Sequence, residues 1–333
     1  MDRKQVTKTG IMHFLTKNGW LGNVDSISFL AAGEYNTNYI VKSGKDFYVF
    51  RLNYGSQLGL DDQTGYEFRC LKLLEYTGVT PRAFFYEPPG KNFSRGAILE
   101  EYIPGRPLDY RRDIPAAAYI FSKVHEVHPQ GAAVDRPFIL EDPIQALAGE
   151  SLALLNKYPA DKSMSVYSPA YSLLSDIYED LTLNAASNAI YFRDEEKCLV
   201  NTEVNSENFI IGEDPAGCHL VDWEKAVFSC RYMDLAHFMA KTTTLWKTDY
   251  YLKDEERSSF LRSYYSALTD KAGLTLDAVM EKTKFIEKAV LLRALSWCYM
   301  ACYEYMNTGR PIKNLKTFKK IKEYLGGAEW FLN

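Results

Sequence analysis

Long apolar runs are missing from this 333-residue chain. No stretch approaches the roughly 18 apolar residues of a membrane span. The segment Met1–Gln5 runs into Ile11–Leu15 without an apolar signal core, so a cytoplasmic location with no membrane partner is expected. Histidine is scarce. His125-Glu126-Val127-His128 is one residue too short for a zincin helix motif, and Pro129 follows at once, so the pair reads as the end of a packed helix. Cys70, Cys198, Cys218, Cys230, Cys298 and Cys302 form no Cys-x-x-Cys pair, and a chain this long needs no disulfide staples. Cys298 and Cys302 lie one helical turn apart with no flanking His; buried, reduced thiols are expected. The net charge of −4 comes without a long basic run, which argues against nucleic acid and anionic membrane as partners. A Gly-x-x-x-x-Gly-Lys-Ser/Thr segment is absent, and so are internal repeats and low-complexity tracts.

What is present is 47% hydrophobic and 25% charged residues, enough for a large core that splits into two lobes. Residues 5–18 read as a short helix. Strands are expected at Ile27–Ala31, Asn38–Val41 and Phe47–Asn53, with the turn Ala32-Gly33-Glu34-Tyr35-Asn36-Thr37 between the first two. A Gly-containing turn can aim N–H groups at an anion, though one glycine also suits an ordinary hairpin. Arg51 is a lone cation inside an apolar strand, and Glu67 lies in the next helix, about 61–76. Gly78 and Pro81 stop that helix, and Ala97-Ile98-Leu99 leads into Glu100-Glu101-Tyr102-Ile103-Pro104-Gly105. Beyond it, helices are expected near 113–127, 142–157, 169–187, 232–246, 255–270, 275–305 with a possible break, and 313–325.

One stretch interrupts the helices. Leu199 to Ile211, a Gly/Asp/Pro turn at Gly212–Gly217, and His219-Leu220-Val221-Asp222-Trp223-Glu224 form a hairpin signal. Glu203 precedes it, Asn208 enters its first strand and Asp222 closes its second. Such a fold-back brings hard oxygen donors to one mouth, which suits magnesium shared with phosphates.

At these residues the chain resembles the aminoglycoside phosphotransferase and choline kinase family, relatives of protein kinases. The family's His-x-Asp-x-x-x-x-Asn loop has the spacing of Asn201, Glu203 and Asn208. Asp222-Trp223-Glu224 and Asp234-Leu235-Ala236-His237-Phe238 follow in the family's order. Asn201 replaces His, and Glu203 replaces the catalytic Asp. The resemblance implies an α+β, two-lobed, protein-kinase-like fold. Residues 1–101 would form a small antiparallel-sheet lobe that covers the nucleotide, and 102–333 a larger, mainly helical lobe that binds substrate. It implies ATP and Mg2+ as cofactors and a small-molecule hydroxyl as acceptor, such as an amino alcohol, a sugar or an aminoglycoside. Asn208 and Asp222 would hold the metal and Glu203 would accept the hydroxyl proton. Asn201 and Asp234 would brace the loop. Gly33, Asn36, Arg51, Glu67, Glu101 and Ile103 would bind the nucleotide, Arg51 pairing with Glu67 and the last two lying in the hinge against adenine. Glu224 has either a metal or a loop role.

Glutamate is about as basic as aspartate, but its extra carbon reaches about 1.5 Å further. A misplacement near 1 Å can cost about 10²-fold in rate, so a working but slowed kinase is expected. The alternative is a nucleotide-binding pseudokinase with a regulatory or scaffolding role. Tyr264, Tyr265, Trp297, Tyr299, Tyr303 and Tyr305 read first as core at helical spacing, while Trp246, Asp249 and Tyr250 are candidates to line an acceptor pocket. A polycationic acceptor would require a broad acidic surface. The run Asp254-Glu255-Glu256 reads instead as the acidic start of a helix.

Overall fold

The computed structural model describes residues 6–33, 35–129, 137–158, 162–213, 217–271, 273–308 and 315–332. Glu34 of the first turn, part of the turn at 212–217, and the outer ends of the helices expected at 5–18 and 313–325 lie outside them. Two compact units emerge. The first is built from the chain up to Pro107 and from Asn208–Ala226; the second takes Leu108–Pro129, Phe138–Glu207 and the chain from Val227 on.

The first unit opens with helix α1 (Lys8–Lys17), whose N-cap Thr7 accepts from the Gly10 amide at 3.1 Å. Strands β1 (Ser26–Ala32), β2 (Asn36–Ser43), β3 (Asp46–Asn53), β4 (Ala83–Glu87) and β5 (Ala97–Glu101) form an antiparallel sheet in the order β1-β2-β3-β5-β4. Side chains alternate between its faces. Phe50 and Leu52 of β3 join Phe14, Val41, Phe93 and Leu99 in a core under α1, while Val49, Arg51 and Asn53 occupy the other face. Helix α2 (Gln63–Leu74) starts at Asp62, whose carboxylate accepts from the Gly65 amide at 2.8 Å. A smaller sheet joins β6 (Arg106–Pro107), β8 (Phe209–Ile211) and β9 (His219–Leu220), the last two forming the expected hairpin. Gly212 is required there, because a Cβ would stand 2.6 Å from the Gly217 carbonyl oxygen.

The second unit is helical apart from β7 (Cys198–Val200) and β10 (Val227–Ser229), which pair antiparallel. Helices α3 (Ile114–Val124), α4 (Pro143–Leu155) and α5 (Ser168–Leu183) each carry Pro in the first turn, where its missing N–H is no loss. The helix expected over 169–187 stops at Asn184, and α6 (Ala185–Arg193) begins anew. The helix expected over 232–246 is likewise two, α7 (Tyr232–Met239) and α8 (Lys241–Lys247). Ala240 between them is extended, and Arg257 donates to the Met239 carbonyl at 3.0 Å. After α9 (Asp254–Ala267) comes α10 (Leu276–Asn307), 32 residues without a break. It contains no Gly or Pro, and buried residues recur along its whole length, so nothing ends it early. Helices α11 (Leu315–Gly326) and α12 (Ala328–Leu332) follow. All six cysteines are buried and free. No helix among the described residues is long and apolar enough to cross a membrane.

Candidate active site

In the first unit the polar face of the sheet gathers acids around one cation. Arg51 is 7% exposed. Its Nε donates to Glu67 of α2 at 3.0 Å, its terminal nitrogen to Asp222 at 2.5 Å, and Glu224 lies at 3.5 Å. Arg51 pairs in register with Ile98, so Glu100, two residues along β5, shares its face. Four carboxylates thus surround one guanidinium. They hold Arg51 charged well above its ordinary range despite burial. Burial pushes Glu67 up to about 8 against the pull of Arg51, with Glu224 and Asp222 adding to the rise. Burial likewise pushes Glu100 up to about 7, again against Arg51. Negative charge is in excess.

Glu224 is held from several sides. Asn36 and Gln57 donate to its carboxylate, and Gln63 donates to its carbonyl at 2.7 Å. Asn53 donates to the Asn36 oxygen at 3.0 Å. Tyr66 donates to the Ala226 carbonyl at 2.6 Å. These contacts anchor the segment after β9, so Glu224 fixes a loop. Asn38 and Asn53, on the Arg51 face, each keep a buried side-chain oxygen with no partner among the described residues. Asn208 ends a single helical turn and its carbonyl accepts from the Val221 amide at 2.9 Å, which sets it beside the hairpin's closing end. The Asp222 carboxylate, with surplus negative charge around it, is the kind of donor a hard divalent cation takes.

Gly33, Glu101 and Ile103 are the remaining nucleotide candidates in this unit. The Gly33 amide closes its own turn on the Asn36 carbonyl at 2.9 Å. The Glu101 amide donates to the Arg82 carbonyl at 2.8 Å, and its side chain pairs with Arg82 at 3.0 Å. Ile103, just past β5, has an amide with no hydrogen-bond partner among the described residues.

In the second unit a buried carboxylate organises the loop after β7. Asp234 of α7 is fully buried. It accepts from the amides of Asn201 at 2.7 Å and Thr202 at 2.9 Å. The Asn201 side-chain oxygen in turn accepts from the Glu203 amide at 3.0 Å. Thr202 and Asp222 are the non-glycine residues with positive φ among those described, at 68° and 67°. A β-branched residue adopts this conformation only under constraint, and such strain of about 1–3 kcal/mol collects at functional sites. Both fall in the two motifs.

No local pattern in the chain points to the partners of Asp234. His125 closes α3 as expected, but its ring also meets Asp234 at 3.5 Å and Tyr264 at 2.9 Å. Arg231 reaches the same Tyr264 hydroxyl at 3.4 Å. Tyr264 is thus core, and its hydroxyl belongs to this network. Burial lowers the His125 pKa, and Arg231 and His128 act the same way; Asp234 opposes them. The unfolded chain takes up a proton near the ordinary value of about 6.5, where the folded protein does not. Stability is therefore expected to be complete above that pH and to fall as pH drops from 6.5 toward the folded value. Urea midpoints across pH 5–8 check this, and His125→Asn should flatten the slope.

The acceptor candidates also sit in this unit. Trp246 meets Trp297 edge-on at 5.8 Å. Asp249 pairs with Arg111 at 3.0 Å, and that guanidinium lies 4.6 Å from the Tyr250 ring centre.

An antiparallel sheet bearing a buried Arg–Glu pair, followed by a helical region with an acid-braced loop, defines a protein-kinase-like phosphotransferase fold. The profile of the Phosphotransferase enzyme family matches residues 26–272, more than half of the chain, and the protein belongs to that family. Solved structures agree on the fold. The ethanolamine kinase of Plasmodium vivax is 16% identical at a TM-score of 0.67, over 98% of this chain and 89% of that one. Spectinomycin phosphotransferase, solved with ADP and spectinomycin, is 14% identical at 0.62, over 96% and 95%. The choline kinase LicA of Streptococcus pneumoniae is 16% identical at 0.60, over 96% and 99%. No curated protein matches the sequence.

Proposed function

We propose that the protein transfers the γ-phosphoryl group of ATP to a hydroxyl of a small molecule. The observation that carries this reading is the buried guanidinium of Arg51, fixed by Glu67 and set against Asp222. A fork-shaped cation so placed suits paired phosphate oxygens. Asp222 and Asn208 would hold magnesium, which supplies neutralisation of phosphate charge when bound. The Ile103 amide is the hinge donor for a purine. Glu203 accepts the proton of the acceptor hydroxyl as its oxygen bonds to phosphorus. The bond from that phosphorus to the bridging oxygen breaks, and ADP leaves with the electron pair. Asn201 and Asp234 position the loop that carries Glu203. The cytosol supplies the ATP that such chemistry consumes.

Glu203→Gln tests the base. Turnover should fall by about 10²–10⁴-fold, the range for a general base, while the thermal shift with ATP and magnesium persists. Undiminished turnover removes Glu203 from the mechanism. Nucleotide binding with no turnover on any hydroxyl compound would favour the pseudokinase alternative that the Asn201 and Glu203 replacements raise.

A further inference from the structure

Glu100 of β5 is an acid in apolar company. Its register partners are Val49 on β3 and Ala83 on β4, and neither side chain offers a donor. Ile40 of β2 pairs with Val49 and lies on the same face, adding a further apolar neighbour. Arg51 contacts Glu67, Asp222 and Glu224, and Glu100 is not among its ion-pair partners. The Glu100 side chain thus has no hydrogen-bond donor among the described residues. It is half-buried, and burial lifts its pKa to about 7 while Arg51 pulls the other way. A carboxylate so placed is costly until something donates to it. Arg51 keeps three acids without it, and an apolar side chain would suit Val49, Ala83 and Ile40 better, so the frame of the sheet gives no reason for an acid here.

The position of Glu100 along its strand points to the missing donor. Arg51 stands opposite Ile98, Glu100 follows two residues on, and Ile103, whose amide also lacks a partner among the described residues, comes three after that. Three residues of extended chain cover about 10 Å, a gap that the edge of a purine and a glutamate side chain fill together. Ile103 offers an N–H and Glu100 an acceptor. A 6-aminopurine matches both, because its N1 accepts and the neighbouring exocyclic amine donates. A 6-oxopurine reverses both: its N1 carries a hydrogen, and its carbonyl oxygen would face the carboxylate. Resting on the phosphotransferase reading with Ile103 as purine donor, we propose that Glu100 selects the base of the nucleotide. Its carboxylate accepts from the exocyclic amine of adenine and turns 6-oxopurines away.

Calorimetry with the magnesium complexes of ADP, IDP and GDP at pH 8 reads this preference without acceptor or turnover. ADP and IDP differ only at the edge that Glu100 would face. ADP should bind about 10- to 100-fold tighter than IDP, the range for one hydrogen bond to a charged group. Glu100→Gln should shrink that ratio about 10-fold, mainly through tighter IDP binding, because its amide can donate to the 6-oxo group. Glu100→Leu should weaken ADP about 10-fold and leave the melting temperature of the nucleotide-free protein unchanged or raised. An acid that serves only the sheet would do the reverse, with a lower melting temperature and an unaltered ADP-to-IDP ratio, and that result overturns the proposal. Equal affinity of the wild type for ADP and IDP overturns it as well. In both cases the phosphotransferase reading stands, since a nucleotide still binds. Binding of none of the three diphosphates would sink both.

Discussion

Asp222→Asn is expected to lower turnover by about 10²–10³-fold, the usual cost of one charge-stabilising group at a phosphoryl or acyl centre. The thermal midpoint should stay within a few degrees of wild type or rise. The opposed signs follow from the charge count around Arg51. Four carboxylates share one guanidinium, and both Glu67 and Glu100 are pushed up in pKa by burial in that company. Removing one acid relieves repulsion, and Arg51 keeps Glu67 at 3.0 Å and Glu224 at 3.5 Å. Asparagine also tolerates the positive φ of this position better than most residues. The acid is thus retained at a cost to the free protein that a bound cation would offset. ATP titration calorimetry with magnesium, next to a melting curve, decides the matter. A variant that loses several degrees while keeping full nucleotide affinity would make Asp222 a structural partner of Arg51.

Much of this frame was legible in the chain. Strands β1 to β3 announce themselves through alternation and Gly-bearing turns, and the 208–222 hairpin through two apolar runs about a Gly/Asp/Pro turn. Arg51 stood out because a cation in an apolar strand demands a partner, and the following helix offered Glu67. Other contacts carry no local signature. Asn36 and Glu224 are bonded 188 residues apart, and His125 and Tyr264 139 apart. Asn, Gln, His and Tyr are ordinary surface and core residues until the fold brings them together. Helix ends were harder still: the break at Ala240 depends on an arginine in the next helix but one, Arg257 of α9. The long α10 could be read as unbroken only by taking its lack of Gly and Pro at face value.

Asp234→Ala is expected to remove about 3–5 kcal/mol of stability, the scale of a buried charged acceptor withdrawn from its donors. The buried Asn201 amide and the half-buried Thr202 amide would lose their acceptor, and the His125 ring its carboxylate neighbour. Thr202 would then hold its positive φ without the Asp234 acceptor, so the turn should relax and carry Glu203 with it. Turnover should collapse along with stability, which leaves the effect on chemistry confounded. Thr202→Gly separates the two. Glycine takes φ near 68° without strain, while the freer unfolded chain gives back roughly 0.5–1 kcal/mol, so stability should change little. If the turn's shape is what positions Glu203, this variant keeps most of its turnover; if the Thr202 side chain contributes contacts of its own, turnover falls at unchanged stability. Urea unfolding of both variants, read with turnover under the same conditions, distinguishes these outcomes. An Asp234→Ala protein as stable as wild type would mean that the two amides find other acceptors, and the loop would then owe its conformation to something other than Asp234.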